Sequence, residues 1–160
     1  MPVKPNFAER IAIYSLNAAP VPMLDLAGAL AYQTLSTAVP LDIFKHLHKG
    51  PATPAELART LGAQERGVQR LLEALAAIGY VESSGSHYSN SAMTEKWFLN
   101  GAVLDIAASI TALDAFLRDL WPQGPQIISN GERPFSFYEY TEHTPGLSDA
   151  HQRMMMGNAN

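Results

Sequence analysis

The side chains that could carry out chemistry are few and widely spaced in this sequence. It contains five histidines, 15 aspartates and glutamates and no cysteine. His46 and His48 are two residues apart, so on a helix they point to different sides. His143 and His151 are eight residues apart beside carboxylates, a pattern that fits a solvated helix face better than a metal site. Because there is also no glycine-rich phosphate loop, serine elbow or paired-histidine helix motif, the sequence predicts no catalytic residue and no metal site.

The composition and the charge pattern indicate a globular protein of one ordinary domain. The 160 residues are 47% hydrophobic and 16% charged, and the lack of cysteine excludes disulfides, thiol catalysis and cysteine zinc sites. The net charge is −4, and residues 81–160 hold nine acidic and four basic side chains, which argues against general affinity for polyanions. The longest uncharged run, Leu26–Leu41, has 16 residues, whereas a membrane span needs about 20. Since Met1–Asn17 holds no secretory signal, we expect a cytoplasmic protein.

The N-terminal part is predicted to be an arm followed by helices. Residues 1–22 hold an apolar stretch between prolines, and Asn6 is a candidate helix cap. This arm is too short to bury its own apolar side chains, so it must pack on the main body or on a second copy of the chain. Met23–Val39 is predicted to form a helix that is apolar on more than one side, which is typical of a buried helix. Pro40 ends it, and Leu41–His48 is predicted to form the next helix.

The clearest local signal follows. Thr53 and Glu56 are spaced as a capping box at the start of a helix, and Gly62 and Gly79 end two successive helices. Two helices and two short strands are predicted here, in the order 54–61, 64–78, 80–82 and 87–89. This order predicts a winged helix-turn-helix with a short β-hairpin wing, within a mainly α fold that has extra N-terminal and C-terminal helices.

A long amphipathic helix is predicted after the hairpin. Asn90–Leu99 comes first, as a short helix with Ser91 as its cap and with Trp97 and Phe98 buried. The long helix covers Gly101–Trp121. Its expected buried face consists of Val103, Ile106, Ile110, Leu113, Leu117 and Leu120.

The remaining residues are predicted to form an aromatic cluster and a last helix. The cluster consists of Phe135, Phe137, Tyr138 and Tyr140. The last helix, Leu147–Met156, carries three consecutive methionines that need a cover and is followed by no closing cap. We therefore expect the chain to be cut before a further domain.

DNA binding is the function that a winged helix-turn-helix first suggests. Arg66, Gln69 and Arg70 lie on the second helix, which would enter the major groove. They are also explained as the solvent face of an amphipathic helix, balanced by neighbouring glutamates. The hairpin favours this second explanation, because residues 81–95 contain no lysine or arginine and a wing without cations attracts phosphate weakly.

Several short segments form a recognisable series along the chain. They are Leu41–Leu47 (LDIFKHL), Thr53–Ala58 (TPAELA), Leu71–Leu75 (LLEAL) and Gly79–Glu82 (GYVE), then Gly131, Pro134 and Phe135 in a loop, Phe137-Tyr138-Glu139-Tyr140, His143 and Pro145 after it, and Gln152-Arg153-Met154-Met155. In this order they resemble the N-terminal domain of small-molecule SAM-dependent O-methyltransferases, of the caffeate, hydroxyindole and polyketide-tailoring type. The resemblance spans most of residues 23–156.

The resemblance implies a winged helix that does not bind DNA. Such a domain dimerises through its helices, with the arm against the partner, and supplies one wall of the acceptor-substrate pocket. By position, His151 and Met155 fall on pocket-lining residues, and Trp121 and Phe116 are further substrate-binding candidates. The family often has phenylalanine at the position of His151, so the class of acceptor does not transfer directly.

The resemblance also implies that the methyl donor, S-adenosylmethionine, belongs to a following Rossmann-type domain that is missing here. This chain alone is then expected to bind no cofactor and to be inactive. We divide it into an arm (1–22), a winged-helix core (23–99) and a C-terminal helical segment (100–160).

Three hypotheses follow from the sequence. The leading one is the dimerisation and acceptor-lining domain of a methyltransferase of secondary metabolism, forming a homodimer with no nucleic-acid or membrane partner. The alternative is a winged-helix DNA-binding transcriptional regulator. The third is a free-standing ligand-binding remnant of the enzyme, complete at 160 residues.

Overall fold

The chain forms two compact units, Met1–Thr94 and Glu95–Asn160, called here the N-terminal and the C-terminal unit. The computed structural model describes residues 6–16, 18, 21–99, 105–132 and 135–156, and the backbone alone of Val21 and Phe137. Several sequence predictions lie outside the described residues: those on Pro2, Pro5, Pro20, Gly101, Val103, Pro134 and the segment after Met156.

The N-terminal unit combines helices with one hairpin. Its helices are α1 (Phe7–Tyr14), α2 (Val21–Ala38), α3 (Ile43–His48), α4 (Pro54–Leu61), α5 (Glu65–Ala77) and the single turn α6 (Ala92–Thr94). Strands β1 (Val81–Ser84) and β2 (His87–Asn90) pair antiparallel between α5 and α6. The prediction of a mainly α fold with a short hairpin is confirmed.

Asn6 caps α1, as predicted. Its Oδ1 accepts a hydrogen bond from the Glu9 N–H at 2.9 Å, and Glu9 Oε2 accepts one from the Asn6 N–H at 2.7 Å. This reciprocal pair satisfies N–H groups that no helical carbonyl can reach. None of the side chains of α1 is buried, so the helix is formed locally and adds nothing to the core of its unit.

Helix α2 gives only one of its apolar sides to the core. Ala31, Leu35 and Ala38 are buried and lie on one helix face, since they follow the spacing i, i+4, i+7. The next helix, α3, begins two residues later than predicted. Asp42 has a φ of 51°, in the left-handed region, and a right-handed helix cannot pass through that conformation.

The predicted capping box at the start of α4 is confirmed. Glu56 Oε2 accepts a hydrogen bond from the Thr53 N–H at 2.8 Å, and Thr53 Oγ1 accepts one from the Glu56 N–H at 3.3 Å. The Thr53 N–H, and after it the Thr53 hydroxyl at 2.8 Å, donate hydrogen bonds to the Glu56 carboxylate and hold its pKa below the ordinary value. Gly62 ends the helix with a φ of 62°, a conformation that suits glycine because it has no Cβ.

The core of the N-terminal unit lies where α3, α4, α5 and β1 meet. The large side chains buried there are Ile43, Phe44 and Leu47 of α3, Leu57 of α4, Val68, Leu72 and Leu75 of α5, and Val81 of β1. The hydrophobic spacing of the helix predicted over 64–78 places Val68, Leu71, Leu72, Leu75 and Ile78 on its inner face, and Val68, Leu72 and Leu75 are buried. Leu71 and Ile78, at its margins, are half-buried.

The hairpin turns over two residues, Gly85 and Ser86, rather than over the predicted four. Ser84 pairs with His87, and Gly85 has a φ of 60° while Ser86 does not have a positive φ. This combination is typical of a type II′ turn, which matches the twist of the strands. The strand β2 also pairs on its other side, where Tyr88 and Ala52 exchange two backbone hydrogen bonds of 2.9 and 3.0 Å.

The prediction for residues 90–99 is right for the cap and wrong for the tryptophan. Ser91 Oγ accepts a hydrogen bond from the Thr94 N–H at 3.3 Å. Trp97 is 44% exposed, and the Lys96 ammonium lies 5.1 Å from the centre of its ring. Glu95–Leu99 form a π-helical turn, which is wider than an α-helical turn and therefore points the side chains in other directions than those predicted.

The C-terminal unit is built from four α-helices among its described residues. They are α7 (Ile106–Asp119), α8 (Gly124–Asn130), α9 (Phe137–His143) and α10 (Leu147–Met156), with a 3₁₀ turn at Trp121–Gln123. Its buried core consists of Ala112 and Ala115 of α7 and Leu147 and Ala150 of α10.

The predicted buried face of the long helix is wrong in part. Ile110 is buried, but Leu113 is 46% exposed, and the side of α7 that packs on α10 is the one with Ala112 and Ala115. Alanines let two helix backbones approach closely, so α7 packs on α10 through its small residues and its larger side chains lie outside this contact. Hydrophobic periodicity favours large residues and therefore misses this face.

We expect Thr53→Ala to lower the free energy of unfolding by about 1 kcal/mol, because it removes the side-chain acceptor of the capping box. Urea unfolding followed by far-UV circular dichroism at one protein concentration measures the change. Thr60→Ala in the same helix is the matched control, since Thr60 Oγ1 donates only to the Glu56 carbonyl within the helix. Equal losses in both variants would contradict the assigned cap.

We expect Leu147→Ala to destabilise the C-terminal unit by about 2–5 kcal/mol, because it leaves a cavity beneath α7. Leu113→Ala, on the face predicted from the sequence, should cost about 1 kcal/mol or less. Both tryptophans of the chain, Trp97 and Trp121, lie in this unit, so their fluorescence in urea reports its unfolding. A larger loss in Leu113→Ala than in Leu147→Ala would contradict the observed core.

Candidate functional site

The first candidate site is an apolar surface on the N-terminal unit, called here the α1–α2 surface. On α1 it consists of Phe7, Ile11 and Tyr14, and on α2 of Met23, Leu26 and Leu30. Each set follows a spacing of three or four residues and so forms one stripe along its helix. Phe7 is 79% exposed and Leu30 60%, and exposed apolar stripes of this kind commonly mark an interaction site.

The second candidate site is a group of three aromatic rings on the C-terminal unit. The Tyr140 ring of α9 stacks on the Phe135 ring, with centroids 4.8 Å apart and planes 14° apart. The Phe116 ring of α7 approaches it from another side at 5.4 Å and a tilt of 43°. Tyr138, which was predicted to join this cluster, is 76% exposed, because two residues along a helix turn a side chain about 200° away.

The Tyr140 hydroxyl ties this ring group to α7. It lies 2.7 Å from Asp119 Oδ2 and 2.9 Å from the Ala115 carbonyl oxygen, so its one proton is shared between two acceptors. Burial first, and then the neighbouring Asp119 carboxylate, raise the pKa of Tyr140 to about 12. The hydrogen bond from Tyr140 in turn holds the pKa of Asp119 below its ordinary value. The pair is therefore a neutral phenol and a carboxylate throughout the physiological range.

Charged side chains hold the Asp119 carboxylate and α10 in place. Arg118 Nε lies 3.3 Å from Asp119 Oδ1, and its Nη1 lies 3.3 Å from Asp114 Oδ2. On α10, Arg153 lies 3.1 Å from Asp149 and 3.7 Å from Asp105, the residue that caps α7. The ion pairs are mostly exposed, so they orient side chains more than they stabilise the fold.

The four residues predicted to bind substrate are all on the C-terminal unit, with different exposure. Phe116 and His151 are half-buried, whereas Met155 is 70% and Trp121 75% exposed. His151 and Met155 are four residues apart on α10 and share one face. Of the four, Phe116 is the residue that the structure brings into the ring group.

Sequence reasoning missed two features of this site. One is the capping box of α9, in which Glu139 Oε2 accepts the Ser136 N–H at 2.9 Å and Ser136 Oγ accepts the Glu139 N–H at 3.2 Å. Its signal, a serine three residues before a glutamate, was available in the sequence. The other is the contact of Tyr140 with Asp119, which joins residues 21 positions apart and leaves no local signal.

Two of the three residues considered for DNA binding, Gln69 and Arg70, are engaged within α5. Arg70 Nη1 lies 3.2 Å from Glu73 Oε2, and Gln69 Nε2 donates to Glu73 Oε1 at 2.9 Å. Arg66 is exposed. Neither strand of the hairpin holds a lysine or an arginine.

Metal-ligand clusters and membrane-spanning helices are both absent from the described residues. These residues contain no group of three or more histidine, aspartate or glutamate side chains placed to hold a metal ion. They also contain no helix that is both long and apolar enough to cross a membrane.

Comparison with known proteins agrees with the resemblance seen in the sequence. The chain is 28% identical over 142 residues to the mitomycin biosynthesis 6-O-methyltransferase of Streptomyces lavendulae, covering 81% of this chain and 40% of that protein. It is 28% identical over 138 residues to the 3-hydroxy-5-methyl-1-naphthoate 3-O-methyltransferase of Streptomyces sahachiroi, covering 75% and 40%. The chain thus spans about two fifths of the length of these curated relatives.

A solved structure shares the fold. PigF, solved with SAH, superimposes with a TM-score of 0.73 at 22% identity, over 84% of this chain and 42% of that one. A family model described as the O-methyltransferase dimerisation domain matches residues 24–100. Residues 24–100 therefore form an O-methyltransferase dimerisation domain, and the exposed α1–α2 surface lies next to and within that segment.

Proposed function

We propose that this chain is the homodimerising and acceptor-lining part of a SAM-dependent O-methyltransferase that acts on small molecules of secondary metabolism. The observation that carries the proposal is the α1–α2 surface, two apolar stripes that the described residues leave exposed. The family match over residues 24–100 supports the same conclusion. We keep the division into an arm (1–22), a core (23–99) and a C-terminal segment (100–160).

The proposed dimer uses the α1–α2 surface of both copies. A preformed helix α1 with no buried side chain gains its apolar contacts from a second subunit, since burial of apolar area is the main driving force of such association. Obligate homodimers commonly bury about 2,000–5,000 Å² in total. The exposed stripes on α1 and α2 of each copy supply apolar area for such an interface.

The proposed core is a winged helix that has lost DNA binding. The order of elements supports it: helix α3, the short bridge at Ala52, helices α4 and α5, and the hairpin whose Tyr88 pairs with Ala52. The hairpin without cations and the pairing of Arg70 with Glu73 support a role other than phosphate contact. We therefore include no nucleic acid and no membrane among the partners.

The proposed acceptor wall lies on the C-terminal unit and includes Phe116, Trp121, His151 and Met155. Aromatic and methionine side chains suit a flat, apolar acceptor, and an imidazole supplies one polar contact. None of these residues is assigned a catalytic role.

We assign S-adenosylmethionine to the part of the relatives that this chain does not span. Nucleotide-type cofactors bind at a glycine-rich turn after a strand of a parallel sheet, and the sheet found among the described residues is a two-stranded antiparallel hairpin. The cofactor supplies the methyl group when bound. The chain contributes the subunit contact and one side of the acceptor pocket.

We expect Leu30→Asp to dissociate the dimer, because it places a charge in the middle of the α2 stripe. Sedimentation equilibrium of the wild-type chain should give twice the chain mass, and the variant should give one chain mass at the same concentrations. Ala92→Asp, at an exposed alanine outside the stripes, is the control and should remain dimeric. A wild-type chain that is monomeric at every concentration would overturn the proposed dimer.

The methyl transfer itself is tested on the full-length protein. We expect it to methylate at least one phenol of a panel consisting of 2-naphthol, 5-hydroxyindole and 3-hydroxy-5-methyl-1-naphthoate when S-adenosylmethionine is supplied. Mass spectrometry detects the added methyl group. The 160-residue chain alone should form no product, and a full-length protein inert toward the whole panel would overturn the enzymatic part of the proposal.

A further inference from the structure

We infer that Tyr140 is a positioning residue of the acceptor wall: through its hydroxyl on α7 and its ring against Phe116, it fixes where that phenylalanine of the wall lies. The inference rests on the proposed function, because the wall is part of that proposal. It goes beyond it by naming a residue that touches neither cofactor nor acceptor and still sets acceptor affinity.

The hydroxyl provides the fixed point. Its two acceptors, Asp119 Oδ2 at 2.7 Å and the Ala115 carbonyl oxygen at 2.9 Å, belong to the last two turns of α7. A phenol bonded to an ionised carboxylate makes a shorter and stronger hydrogen bond than one between neutral groups. Tyr140 thus joins α9 to α7 at a defined distance.

The same α7 backbone carries the other members of the group. Ala115, whose carbonyl receives the hydroxyl, immediately precedes Phe116, and the Phe116 ring lies 5.4 Å from the Tyr140 ring. A shift of α9 relative to α7 therefore changes the angle between the planes of the Phe116 and Tyr140 rings.

The ring transmits this position to the loop before α9. Phe135 stacks almost parallel on Tyr140 at 4.8 Å, and Ser136 begins α9 through its capping box with Glu139. Phe135 is only half-buried, so its stack on Tyr140 is a principal contact that orients it. Offset stacking of this kind has a preferred geometry.

Arg118 orients the Asp119 carboxylate that accepts the Tyr140 hydroxyl. It holds the second oxygen of Asp119 at 3.3 Å and reaches Asp114 with its other end. Arg118 thus holds one oxygen of the Asp119 carboxylate while the Tyr140 hydroxyl binds the other.

The test is Tyr140→Phe in the full-length protein, with the panel phenol that the wild type methylates fastest. The variant keeps the stacked ring and loses the hydroxyl. Loss of a hydrogen bond of about 0.5–1.5 kcal/mol corresponds to a rise in acceptor KM of about twofold to tenfold, with kcat and the KM for S-adenosylmethionine unchanged. Asp119→Asn should raise the acceptor KM in the same direction, because it weakens the same hydrogen bond.

Tyr138→Phe is the matched control, since it removes a hydroxyl from an exposed tyrosine two residues away on the same helix. We expect its acceptor KM to equal that of the wild type. A purely structural role would lower kcat through a smaller folded fraction and leave KM unchanged, so a fall in kcat alone in Tyr140→Phe would overturn the inference.

A second measurement on the 160-residue chain is independent of the enzyme assay. Amide hydrogen exchange across Phe137–His143 should be faster in Tyr140→Phe by about twofold to tenfold, and unchanged in Tyr138→Phe. Unchanged exchange in Tyr140→Phe would contradict the inference without affecting the proposed function. A full-length protein that methylates none of the phenols would overturn the proposed function, and the role in acceptor affinity with it.

Discussion

The structure depends on an excess of apolar surface that its described residues leave exposed. Its N-terminal helix is capped and complete, yet all of its side chains remain accessible. The helix that follows gives Ala31, Leu35 and Ala38 to the core and presents Leu26 and Leu30 to the outside. Exposed stripes of this kind are costly in water. A second copy of the same surface is the cover that the family match supports.

The two units build their cores from side chains of different size. The core of the N-terminal unit consists of large side chains, among them Ile43, Leu72 and Leu75. Helix α4 of the same unit is capped at both ends. The C-terminal unit uses alanines instead, so that α7 and α10 come close together. The larger side chains of α7 are then left to face other surfaces, and the aromatic rings are held by the hydrogen bonds of Tyr140.

Much of the fold was predictable because its signals are local. The capping residues Asn6, Thr53 and Ser91, the helix end at Gly62 and the position of the hairpin depend on a few consecutive residues. The resemblance to the methyltransferase family also came from short segments. The errors have physical causes, since a π-helical turn redirected Trp97 and small residues took the packing face expected for Leu113.

The sequence by itself determined the element types of the N-terminal unit, the order of helix, turn, helix and hairpin, and the family resemblance, because each follows from backbone propensity or short motifs. Which side of each helix would be buried was decided only by the tertiary structure. That choice depends on how closely two backbones can approach, which no single segment specifies. The contact of Tyr140 with Asp119 was likewise decided by the tertiary structure, since α9 and α7 have to pack together before the phenol and the carboxylate can meet.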